Sequence, residues 1–131
     1  MSSLDEFVSG AFEMAEEARN DPRVPIPTGY QVLLMPIKME EKTSGGIIIP
    51  EESRAVRDIA GICFYVLSMG DEAYSRIIGN DYEPYCRVDD FVVLHAYTGT
   101  RLIVDRVEYR LVNDDSIKAV VIDPRGVKRA E

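Results

Sequence analysis

The chain has 131 residues, 46% of them hydrophobic, and a formal net charge of −8. That is one ordinary domain with enough apolar content for a core, and the excess of acidic residues argues against nucleic acid or an anionic membrane as partner. Asp5 and Glu6 stand where a targeting segment would carry basic residues, and no long apolar run follows, so neither a signal peptide nor a membrane span is expected. The two cysteines, Cys63 and Cys86, lack a close pairing motif, which points to a reducing compartment such as the cytoplasm.

The first element is a helix from Ser3 to Arg19. Leu4, Phe7, Val8, Ala11, Phe12, Ala15 and Ala18 recur at steps of three and four, which gathers them on one face. Ser3 with Glu6 forms a capping box, and Asn20-Asp21-Pro22 stops the helix. Such a stripe packs on its own domain or on a neighbouring subunit; a partner-docking helix is the alternative. Arg23-Val24-Pro25-Ile26-Pro27 is a stiff extended connector, because each proline holds the residue before it extended. Strand signals follow over Tyr30–Met35.

Residues 38–58 are a long stretch with little periodicity, and a loop of that length in a compact domain carries function or is disordered. It runs from a charged, polar lead through Gly45 and Gly46 to Ile47, Ile48, Ile49 and Pro50. The glycines add backbone freedom. Three adjacent isoleucines cannot all face one core, since neighbouring side chains point in different directions. Apolar surface at a loop tip means a partner; a short buried strand over Ile47–Ile49 is the other reading of the same residues.

Further strands are expected over Ala60–Met69, Phe91–His95, Arg101–Val104, Val107–Val112 and Ile117–Ile122. Polar turns such as Thr98-Gly99 and Asn113-Asp114-Asp115 separate them. Many short strands with regular turns indicate a small barrel or sandwich. Between them, residues 71–85 are ambiguous. Gly79-Asn80 suits a two-residue hairpin turn, whereas Tyr74, Ile77 and Ile78 also suit a short helix; the hairpin is favoured. Asp89-Asp90 and Asp114-Asp115 read as turn formers, since adjacent side chains diverge on a strand.

Little catalytic chemistry is visible. There is no glycine-rich phosphate loop with Lys-Ser/Thr, and the single histidine, His95, has no triad-like carboxylate. With Cys63 and Cys86 it offers three scattered metal-ligating residues, which read as core and rim positions. No cofactor, no metal site and no enzymatic activity are expected.

Five blocks share an order and spacing with a known family. They are Pro27–Pro36, the Lys-Thr-Ser-Gly-Gly-Ile-Ile-Ile stretch, Phe64–Gly70, Arg87–Leu94 and Glu108–Val121. Together they resemble the GroES co-chaperonins over roughly residues 25–121. The resemblance implies a mostly β fold: a small GroES-like barrel with a long mobile loop and a roof hairpin or loop, here with an extra N-terminal helix. It implies three parts: residues 1–24 as helix and connector, 25–121 as the barrel with mobile loop 38–58 and roof 71–85, and 122–131 as a tail. It also implies function. Ile47, Ile48 and Ile49 would anchor in a GroEL-type chaperonin ring, with Gly45 and Gly46 as the flexible approach. The chain would form a sevenfold ring and close a chamber around a non-native protein, while the partner binds and hydrolyses ATP. Two alternatives remain: a GroES-like module of a zinc enzyme, and a β-barrel adaptor for another hydrophobic groove. Family members carry Gly where Asp89 stands, a position that Asp also tolerates in a turn.

Overall fold

The computed structural model describes residues 4–37, 62–77, 83–127 and 130. Residues 38–61, which hold Gly45, Gly46 and the isoleucine triplet, lie outside the described residues, as does the Gly79-Asn80 turn.

Helix α1 spans Leu4–Arg19, with Asp5 and Glu6 in its first turn and Arg19 in its last, the distribution that the helix dipole favours. Ala15 is fully buried and Ala18 nearly so. Val8 and Phe12, which belong to the same sequence stripe, are instead exposed. Seven apolar positions at these spacings cover a wider arc than one sheet surface can bury, and the small alanines sit where the helix approaches closest.

Among the described residues six strands follow: β1 Gln31–Pro36, β2 Cys63–Met69, β3 Phe91–Val93, β4 Thr100–Val104, β5 Val107–Asn113 and β6 Ala119–Val121. The strands expected over these stretches are present, but β3 and β6 are shorter than their apolar runs. Leu94 and Ile117 are buried beyond the ends of these strands, so apolar content outlasts strand pairing at both. The sheet is antiparallel with the order β4-β5-β1-β2-β3-β6. The β1–β2 register shifts between Leu33 and Leu34.

The four central residues of β1 are buried without a break, because the sheet is covered on both faces. Val32 and Leu34 join Phe64, Val66, Val92 and Val112 in an inner cluster. Val92 in β3 and Val112 in β5 are three places apart in the sheet order, so the sheet rolls around this cluster. Leu33 and Met35 join Tyr65, Leu67, Phe91 and Tyr109 in an outer cluster, which α1 covers with Ala15 and Ala18. Among the described residues no helix is long and apolar enough to cross a membrane.

The segment 71–77 is a run of tight turns. Ala73, Ser75 and Ile77 each donate a backbone N–H to the carbonyl three residues back. Its described part holds no strand, so the favoured hairpin is not seen there. Tyr74, at φ 62°, is driven inward to the core rather than along a strand. Gly99 precedes β4 at φ 83°, and a Cβ there would meet the Leu111 carbonyl oxygen at 2.4 Å. Only glycine suits that turn.

Candidate functional site

The candidate site is the mount of residues 38–61. The chain leaves the sheet after β1 and re-enters it at β2, and these strands are antiparallel neighbours with Pro36 opposite Phe64. Both ends of the segment therefore start one strand spacing apart, about 4.8 Å. Leu94 N–H donates to the Ile62 carbonyl at 3.0 Å, which ties the returning end to the β3 side. The mount is stiff: Leu34, Met35, Phe64 and Tyr65 are each at most 3% exposed. From Ile37 to Ile47 the chain has ten residues, a contour of at most roughly 33–36 Å. The predicted anchor Ile47, Ile48, Ile49 and its approach Gly45, Gly46 thus belong to a hairpin-type connection between two central strands. The structure describes both ends of that connection and not its tip.

The metal alternative is addressed by the positions of its three residues. Cys86 is buried in the inner cluster, 3.4 Å from the Tyr74 hydroxyl. Cys63 begins β2 beside the mount, and His95 is exposed past the end of β3. Among the described residues no group of three His, Cys, Asp or Glu side chains is placed to hold a metal ion. Burial pushes the Cys63 thiol up to about 11 and raises Cys86 as well, so both are poor nucleophiles. The hollow between α1 and the end of β1, lined in part by Met14, Met35 and Pro36, measures about 190 Å³. That is below the range of small-molecule sites, roughly 300–1,000 Å³.

Two carboxylates do more than form turns. Asp114 is 1% exposed and accepts the Tyr74 N–H at 2.8 Å and the Arg76 guanidinium at 2.5 Å. Its backbone carbonyl accepts the Tyr74 hydroxyl at 2.8 Å. It therefore pins residues 71–77 over the inner core. Asp89 sits at φ 76° and accepts from the Tyr65 hydroxyl at 2.7 Å and from Arg19 at 2.5 Å. Arg19 also donates to the Leu67 carbonyl at 2.9 Å. Burial, then the hydrogen bond to Asp89, raises the Tyr65 hydroxyl pKa. The sequence flags Asp89 only as a turn former. Its role as the clasp for α1 depends on residues seventy positions apart, which no local pattern reveals.

Comparison with known proteins agrees with this geometry. The profile of the family described as Chaperonin 10 Kd subunit matches residues 25–121. The chain is 33% identical to a Co-chaperonin GroES of Kosmotoga olearia over 97 residues, which cover 73% of this chain and 94% of the relative. It is 36% identical to the Co-chaperonin GroES of Coprothermobacter proteolyticus, covering 72% of this chain and 92% of the relative. For the Thermotoga maritima Co-chaperonin GroES the identity is 30%, with 73% and 94% covered. The rolled antiparallel sheet, the long β1–β2 connection and these matches converge: the chain belongs to the chaperonin 10 kDa subunit family, the GroES-type co-chaperonins.

Proposed function

We propose that this co-chaperonin caps a GroEL-type chaperonin ring through the Ile47–Ile49 triplet, and that Gly45 and Gly46 let the tip reach its groove. The observation that carries the reading is the mount. The segment bearing the triplet is rooted on two adjacent buried strands whose sheet has an apolar core on both faces. In this reading residues 38–58 are mobile in the free protein and become ordered on the chaperonin.

The energetics suit a lid. Burying one isoleucine side chain contributes roughly 1.5–3 kcal/mol, and fixing each loop residue costs roughly 1–2 kcal/mol. A single loop is a weak binder. Seven loops on one ring bind collectively, because the first contact raises the effective concentration of the rest. The chain then acts as a heptamer that closes a chamber around a non-native protein. ATP is bound and hydrolysed by the chaperonin, and the chain itself performs no chemistry.

The test is Ile48→Asp, assayed by sedimentation with a GroEL-type chaperonin and ATP, beside a thermal melt of the variant. The expected outcome is loss of capping with an unchanged melt and unchanged ring. Normal capping by the variant would reject the triplet as anchor. A lowered melting temperature would show instead that Ile48 belongs to a buried strand.

A further inference from the structure

The strand from which residues 38–61 depart loses a neighbour before it ends. β1 pairs with β2 as far as Pro36, opposite Phe64, but with β5 only as far as Leu34, opposite Arg110. Past that point β5 stays paired with β4, down to Val107 opposite Val104. The hollow of about 190 Å³ lies where β1 and β5 part. Met35 and Pro36 line it from β1, Val107 and Tyr109 from β5, and Met14 from α1.

Ile37 follows, beyond the last paired residue of β1. Side chains alternate along this strand. Val32 and Leu34 enter the inner cluster, whereas Leu33, Met35 and Ile37 join the outer one. Met14 is partly buried against that same outer cluster. Where the hydrogen-bonded ladder gives out, packing under α1 takes its place. Methionine suits such a gap, because its unbranched chain adapts to irregular space. The placement of Met14 is itself fixed. Ala15 beside it is fully buried, and at the helix end Arg19 is tied to Asp89 and to the Leu67 carbonyl. Because α1 lies outside the residues matched to the family, 25–121, this support is an addition to the matched part of the chain.

We propose that Met14 is a positioning residue for capping: it wedges the gap between β1 and β5, holds Met35–Ile37 in place, and so fixes the direction in which the chaperonin-binding segment leaves the sheet. The proposal rests on the capping reading above and names the element that tunes it. A segment launched in one direction loses less freedom on binding than one launched from a loose end. A gain of about twofold per loop multiplies to about a hundredfold over seven loops.

The test is the chaperonin concentration at half-capping, measured by sedimentation with ATP below the melting temperature of every variant. Met14→Ala should raise it at least tenfold, as about a twofold loss per loop requires. Met14→Leu, of nearly the same volume, should stay within about threefold of wild type. Ile37→Ala attacks the same contact from the strand side, so Met14→Ala/Ile37→Ala should be little worse than either single variant. Phe7→Ala is the stability control. It removes packing on Phe91 of β3, two strands from β1, and should lower the melting temperature without moving half-capping. Wild-type capping by Met14→Ala would overturn the proposal, as would equal weakening by Phe7→Ala or independent effects of Met14→Ala and Ile37→Ala. Ile48→Asp separates the two readings. If it caps normally, the capping reading beneath the proposal fails; if it does not cap while Met14→Ala does, only the proposal falls. Amide exchange of the free protein gives a second measurement. In Met14→Ala the amides of Met35 and Phe64 should exchange faster while those of Val32 and Val112 keep their rates. Uniform acceleration across all four would mark a loss of global stability alone and reject the positioning role.

Discussion

The two faces of the sheet are closed by different means. The inner face is covered by turns and strand ends within residues 25–121, held by the buried Asp114 carboxylate and by Tyr74 at positive φ. The outer face is covered by α1, packed through alanines and tied down at one end by Arg19 on Asp89. A buried polar pin is intolerant, since removing one partner leaves the other without compensation. A helix laid over a sheet spreads its contribution over many apolar contacts, and its ion pair adds little because it is partly solvated.

Deleting residues 1–22 should test that contrast most strongly. It uncovers Leu33, Met35, Tyr65, Leu67, Phe91 and Tyr109 together. The expected loss is on the order of 5 kcal/mol, even after allowing for a compact unfolded chain, seen as a lower urea midpoint and new binding of an apolar dye. Asp114→Ala should come next. It removes the acceptor for the buried Tyr74 N–H and for Arg76, at about 3 kcal/mol, read from chemical denaturation. If Asp114→Ala is neutral, the inner face is not pinned as described.

Asp89 gives a smaller and more discriminating effect. Asp89→Ala loses the contacts to Arg19 and Tyr65 and keeps a strained backbone at φ 76°, so about 1–2 kcal/mol is expected. Asp89→Gly loses the same contacts but relieves the strain, so its cost should fall to about half that of Asp89→Ala. Equal costs would show that the clasp, not the backbone, dominates. The cysteines sharpen the comparison without altering stability. At pH 8 the native Cys63, with its thiol pushed up to about 11, should alkylate about a hundredfold more slowly than in the denatured chain. Cys86, raised in the same direction on the inner face, should also be slow, and both should become fast when the chain unfolds.

Local pattern made α1 and all six strands legible to within a few residues, because period-3.6 and apolar-run signals arise from contacts near in sequence. It also placed the long connection between β1 and β2 and the isoleucines within it. Residues 71–77 were read less well. Their turns are pinned by Asp114, forty positions from Tyr74, and a stretch with Tyr74 and Ile77 has no periodicity to set against that pull.

The sequence by itself determined the mostly β class, the N-terminal helix, the family resemblance over residues 25–121 and the candidate anchor, since each depends on residue types in order. Only the tertiary structure decided that α1 covers the outer face while leaving Val8 and Phe12 exposed, and that Asp89 and Asp114 clasp distant segments. It also left β6 at an edge of the sheet with Val120 and Ile122 exposed. Burial and pairing between segments tens of residues apart depend on how the sheet rolls, and no local spacing encodes that.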